Sequence, residues 1–150
     1  MRKLIVTTVF LIVSFFALQS EADARGFSVT ASDKAFFEQI KNAVLTDDVE
    51  WFSGAVVSYT FVLRLDKGEI KLKNKADFKE HVALIFTTQL KSIVQKQSAD
   101  SLFKNWQGVM IGDGEIWFSE VGEKTGNGNV WVYRIIGINL PKEQSKKIEK

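Results

Sequence analysis

The sequence predicts an α+β fold, on three observations. Apolar residues recur at helical spacing in two stretches, one around Phe36 and one between Phe78 and Val94. The strand-like runs come in pairs joined by short turns, the arrangement of antiparallel hairpins. No helical stretch alternates with successive single strands, so the helices are segregated from the sheet and a doubly wound α/β layout is excluded.

The chain opens with an address. Met1-Arg2-Lys3 is basic, Leu4 to Leu18 is almost wholly apolar, and Ala22-Asp23-Ala24 fits a small-residue cleavage site. This is the pattern of a secretory signal peptide over residues 1–24. Its apolar run of 15 residues is shorter than the roughly 20 needed to span a bilayer. The expected product is Arg25–Lys150, 126 residues with no stable membrane anchor, placed in the periplasm or outside the cell. It holds one domain over 25–141 and a charged tail over 142–150. The chain has no cysteine, so neither a lipoprotein anchor nor a disulfide framework is available and a packed core must supply stability. The net charge of +2 is the same with or without the leader, too mild to argue for nucleic acid or an anionic membrane surface.

Within that domain, Ser32 is the expected N-cap of a helix over 33–45, whose apolar face carries Phe36, Phe37, Ile40, Ala43 and Val44. Asp47 and Asp48 suit the start of a second short helix that holds Val49, Trp51 and Phe52 and ends near Gly54. Residues 55–65 read as a strand with Tyr59, Phe61, Leu63 and Leu65 facing the core. A turn at Asp66-Lys67-Gly68, with glycine in the left-handed conformation, leads to a lysine-marked partner strand over 69–73. The strongest helical pattern follows: Phe78, Val82, Ile85, Phe86, Leu90, Ile93 and Val94 share one face of a single helix over 75–96, capped by Asn74. Residues 98–104 read as a loop or one helical turn. Trp106 to Ser119 is a hairpin around Gly112-Asp113-Gly114, the heaviest aromatic cluster in the chain. A polar loop over 122–129 and a last strand over 130–138 complete the domain.

The pattern resembles the nuclear-transport-factor-2-like superfamily. The residues that carry the resemblance are Asp77-Phe78 and Ile85-Phe86 of the long helical stretch, Asn105 to Gly112, Gly114-Glu115-Ile116-Trp117, and the closing strand with Trp131, within Ser32 to Leu140. The resemblance is topological and closest to small secreted bacterial members without an assigned activity. It implies a curved, mainly antiparallel sheet wrapped around helices as a cone-shaped roll. It also implies a ligand in that cone or a homodimer through the sheet face. The superfamily spans enzymes and pure binding modules, so membership does not set function. Its enzymes usually place an Asp/His or Tyr/Asp pair inside the cone, and no such pair maps onto this sequence.

Candidate chemistry is sparse. His81 is the only histidine and lies four residues after Asp77, so the two could form an acid/base pair on one helix face. The plainer account is a half-exposed residue beside a capping aspartate. One histidine and no cysteine do not make a metal site, and nothing points to a cofactor. Asp113 and Glu115 fit turn chemistry, and Asp47, Asp48 and Glu50 fit helix capping. No serine or cysteine nucleophile motif and no phosphate-binding glycine loop is present.

The stronger lead is aromatic. Tyr59, Trp106, Trp117, Trp131 and Tyr133 could line a concave apolar pocket with a few polar handles. Arg134 shares the closing strand's aliphatic face with Val130, Val132, Ile136 and Ile138, where a charge needs a partner. Three functions compete. The first is a non-catalytic exported domain holding an apolar or mixed small ligand in the cone. The second is an inhibitor or accessory subunit that docks a protein partner through its sheet face. The third, least supported, is an isomerase- or dehydratase-like enzyme using His81 and Asp77.

Overall fold

The computed structural model describes residues 27–56 and 61–140. The leader, Tyr59 and the charged tail lie outside them. The architecture is α+β: helices pack on one face of a curved, open sheet of six strands.

Helix α1 (Ala31–Leu45) is capped by Thr30, not by Ser32. Thr30 Oγ1 accepts from the Asp33 amide, and the Asp33 carboxylate accepts from the Thr30 amide. This reciprocal pair satisfies donors that a helix start otherwise leaves open. Ser32 lacks the acid three residues on that would complete the same box. The apolar face is as expected: Phe36, Phe37, Ile40, Ala43 and Val44 are buried. Helix α2 (Val49–Ala55) starts on Asp48, whose carboxylate accepts from the Trp51 amide at 3.0 Å.

The expected long helix is three pieces: α3 (Lys75–Glu80), α4 (Val82–Ile85) and α5 (Thr88–Lys96). At the first break the His81 amide is shared between the Asp77 and Phe78 carbonyls, which tightens the turn. At the second, Thr87 is extended (φ −87°, ψ 159°) and its hydroxyl accepts from the Leu90 amide, so it caps a new helix. The apolar stripe survives both breaks, because Phe78, Ile85, Leu90 and Val94 are all buried.

Strands β1 (Phe61–Leu65) and β2 (Gly68–Leu72) form the expected antiparallel hairpin, but Gly68 is not in the left-handed region. Of the predicted strand over 55–65, Ala55 belongs to α2, Val56 makes an isolated bridge to Ile135, Phe61–Leu65 are strand, and 57–60 lie outside the described residues. The loop or helical turn expected over 98–104 is a single 3-10 turn (Ala99–Ser101) that leads to a short strand, β3 (Phe103–Asn105). Strand β4 (Gly108–Ile111) pairs with β5 (Ile116–Thr125) around a turn in which Gly112 and Gly114 have φ of 67° and 110°. That is the glycine-turn hairpin expected of this stretch. The predicted polar loop over 122–129 is instead paired strand: β5 runs to Thr125 and β6 (Gly128–Asn139) begins three residues later. Its alternating charged and small residues are polar because this end of the hairpin is open to solvent, and the ladder persists without an apolar face.

The sheet order is β2-β1-β6-β5-β4-β3, antiparallel throughout except for the β1–β6 pair. One irregularity matters for the site. Phe118 pairs with Ile135 but Trp117 pairs with Gly137, so β6 carries one extra residue at Ile136. The parity of β6 therefore flips. Ile135 and Ile138, three apart, are both buried against the helices, and Ile138 leaves the aliphatic face to which simple alternation assigned it. Phe36 packs against Phe118 and Tyr133 with ring centroids 5.4 and 5.2 Å apart, within one contiguous cluster of buried side chains.

Candidate binding site

Among the described residues the aromatic candidates are not brought together, and Tyr59 lies outside them. Tyr133 lies on the inner face, half-buried against Phe36 and Phe118. Trp106 and Trp131 are 79% and 67% exposed and sit on hairpins, outside the core. Trp117 alone lines a groove, and that groove is on the opposite face.

The strand registers place this groove. Phe103 is opposite Met110, Met110 opposite Trp117, and Trp117 opposite Gly137, so these four form one row across the solvent face. Arg64 and Asn139 pair in the adjoining β1–β6 ladder. Arg64, Gln107, Trp117, Ile136, Gly137 and Asn139 together line a groove of about 340 Å³. Gly137 leaves room there: a Cβ at this position would come within 3.1 Å of Arg64 Nη1, and the guanidinium would have to shift by a few tenths of an ångström. The guanidinium thus lies against bare backbone. Asn139 donates from Nδ2 to the Gly114 carbonyl, which ties the groove to the glycine turn.

Arg134 finds the acid that its position demanded. Its Nε and Nη2 donate to the two carboxylate oxygens of Glu123 at 2.7 and 3.0 Å, a bidentate pair. It also borders a second groove of about 350 Å³, shared with Phe36, Gln39, Glu50, Trp51, Gly54 and Ala55. Glu50 in that groove is committed as well. Hydrogen bonds from Lys75 and Lys79 hold its carboxyl down to about 2.

His81 and Asp77 do not form a side-chain couple. His81 Nδ1 lies 2.8 Å from the Asp77 backbone carbonyl, while the Asp77 carboxylate accepts from the Lys73 amide. His81 is half-buried at the junction of α3 and α4, away from the outer-face groove. Among the described residues no group of three or more His, Cys, Asp or Glu could hold a metal ion. No described helix is long and apolar enough to cross a membrane.

One polar cluster went unnoticed in the sequence. Asp33 is 1% exposed and is the buried charge of the described core. Its carboxylate accepts from the Thr30 amide and hydroxyl at 2.7 and 2.9 Å, from Lys104 Nζ at 2.7 Å and from the Tyr133 hydroxyl at 3.1 Å. Burial pushes this carboxyl upward, but the bonds from Lys104 and Thr30 outweigh it and hold the group below its ordinary value. Burial, with the neighbouring Asp33 charge, raises the Tyr133 phenol. Three donors sit on Oδ2 and one on Oδ1, so this buried carboxylate is engaged within the fold. Asp33 is a structural hub joining α1, β3 and β6. The local signal for it was the threonine-to-aspartate spacing of the capping box; its partners, 71 and 100 residues away, left none.

No family, curated protein or solved structure matches this chain. The outer-face groove therefore has to be read from its own chemistry.

Proposed function

We propose that this is an exported, non-catalytic binding protein of the nuclear-transport-factor-2-like type, which holds a small ligand of mixed apolar and polar character in the groove on the outer face of its sheet. The observation that supports this is the set of uncommitted groups there. The Arg64 guanidinium, the Trp117 indole N–H and the Gln107 side-chain amide make no hydrogen bond or ion pair with any other described residue, and they share one groove with Ile136 and Gly137. Several other charges of the domain are paired: Asp33 with Lys104, Glu123 with Arg134, Glu50 with Lys75 and Lys79. An apolar surface with a few convergent polar groups is the ordinary description of a ligand site, and about 340 Å³ falls within the usual range.

Export rests on the leader, and intact-mass analysis of the protein recovered from outside the cytoplasm should give a chain that starts at Arg25. For binding, a thermal-shift screen of small molecules is the direct test. A ligand at a hundredfold excess over its Kd stabilises the fold by about 2.7 kcal/mol. Trp117→Ala should abolish the shift and Trp131→Ala should leave it unchanged. A ligand whose effect survives Trp117→Ala would place binding elsewhere and sink the proposal. The docking alternative has its own support: Phe103, at the end of the same row, is 52% exposed. It predicts that Phe103→Ser weakens capture of a partner protein while small-molecule binding is absent.

A further inference from the structure

The chemistry of the groove narrows what it would take, and this inference rests on the groove being the binding site. We propose that its ligand carries a carboxylate, seated on Arg64, with a flat apolar body lying along Trp117 and Ile136.

Side-chain donors outnumber side-chain acceptors in the groove. Arg64 presents five N–H donors in a planar fork and accepts nothing. Its guanidinium, on an exposed residue, makes neither a hydrogen bond nor an ion pair with any other described residue. Glu69 stands directly opposite it on β2, yet Glu69 is paired with Lys71 at 3.5 Å. The indole N–H of Trp117 adds a further donor. Asn139 spends its amide N–H on the Gly114 carbonyl, so its free oxygen and that of Gln107 are the side-chain acceptors left to the ligand. A group rich in acceptors is the complement of this set.

Geometry selects among anions. The missing side chain of Gly137 lets the guanidinium approach the sheet, a Cβ there lying 3.1 Å from Nη1, and the fork itself is planar and rigid. Two parallel N–H bonds match the two oxygens of a carboxylate. A phosphate monoester brings close to two negative charges at neutral pH. The groove lining contains one cationic side chain and no lysine. The single charge of a carboxylate is the better match. Beside the head group, Trp117 and Ile136 offer an apolar floor, and Gly137 keeps that floor flat.

The test uses the mature chain labelled with nitrogen-15. Its four tryptophans give four indole N–H resonances to follow. The probes are naphthylacetate, its neutral amide naphthylacetamide, and naphthyl phosphate. Naphthylacetate should shift the Trp117 indole resonance saturably and leave those of Trp106 and Trp131 in place. The amide should bind on the order of tenfold more weakly, because charge-assisted hydrogen bonds are about twice as strong as neutral ones. Arg64→Gln should erase the difference between acid and amide, and Arg64→Lys should keep part of it. Gly137→Val should weaken the acid by pushing the guanidinium off its bed, with the thermal midpoint recorded to show that the variant is folded. Equal binding of acid and amide at Trp117 would overturn the carboxylate while leaving the groove as the site. Tighter binding of naphthyl phosphate would overturn it in favour of a phosphate. No movement of Trp117 with any of the three would overturn the carboxylate and the groove together.

Discussion

Asp33 shows how one residue can be invisible in a pattern and central in a fold. Removing its charge leaves Lys104 facing the interior without its partner. Breaking a buried pair in this way costs roughly 3 kcal/mol. Asp33→Asn should therefore lower the urea midpoint strongly. Tyr133→Phe, which removes one neutral donor, should cost about 1 kcal/mol. The pH dependence has a definite sign. The carboxyl's folded-state value lies below its ordinary 3.8. Its contribution is thus complete above that ordinary value and is lost as pH falls through the folded one. Stability followed from about pH 5 down to about pH 2 should fall more steeply in the native protein than in Asp33→Asn. A native curve no steeper than the variant's would contradict this assignment.

The elements were legible where burial and periodicity agree. The faces of α1 and α2 and the glycine-turn hairpin follow from spacing alone. The helix over 75–96 was misjudged for a physical reason. Its stripe is continuous, and Thr87-Thr88 passes for an exposed face, so nothing in the period betrays that Thr87 turns out of the helix to cap the next one. Thr87→Ala should cost about 1 kcal/mol through loss of that cap. Strand β3 was missed because three residues are too few for alternation to show. The opposite case is Gly108, which looks like an ordinary hairpin glycine. It sits at φ 140°, and a Cβ there would lie 2.5 Å from the Phe118 carbonyl oxygen. Gly108→Ala should destabilise by about 3 kcal/mol, from strained backbone and forced displacement of β5 together. Chemical denaturation would check both variants, and a cost below that of Thr87→Ala would mean that the β4–β5 ladder gives way easily.

Across the whole molecule, the α+β class and the segregation of helices from strands could be read from the sequence, but the site could not. Trp117 was named for its size and Arg134 for its charge. Arg64 drew no notice because its neighbours make it look like the exposed side of an ordinary strand. What brings Arg64 beside Trp117 is the parallel β1–β6 pairing, together with an extra residue in β6 that no local signal announces. The same topology leaves β6 unevenly supported. Residues 128–134 pair with β5 on one side and with no described strand on the other, whereas Ile138 and Asn139 are flanked by both β5 or its turn and β1. Hydrogen exchange should show weaker average protection over 128–133 than over 135–139. Uniform protection along β6 would mean that something covers its edge.

The Asp33 hub also has a consequence in time. The first helix is fastened by residues 104 and 133, the latter in the closing strand. The packing of α1 on α5 and the Lys34–Asp100 pair can form earlier, but the Tyr133 bond closes only when nearly all of the domain has emerged. Fragments ending before Tyr133 should leave α1 loosely attached and open to proteases, and the complete domain should acquire resistance in one late step.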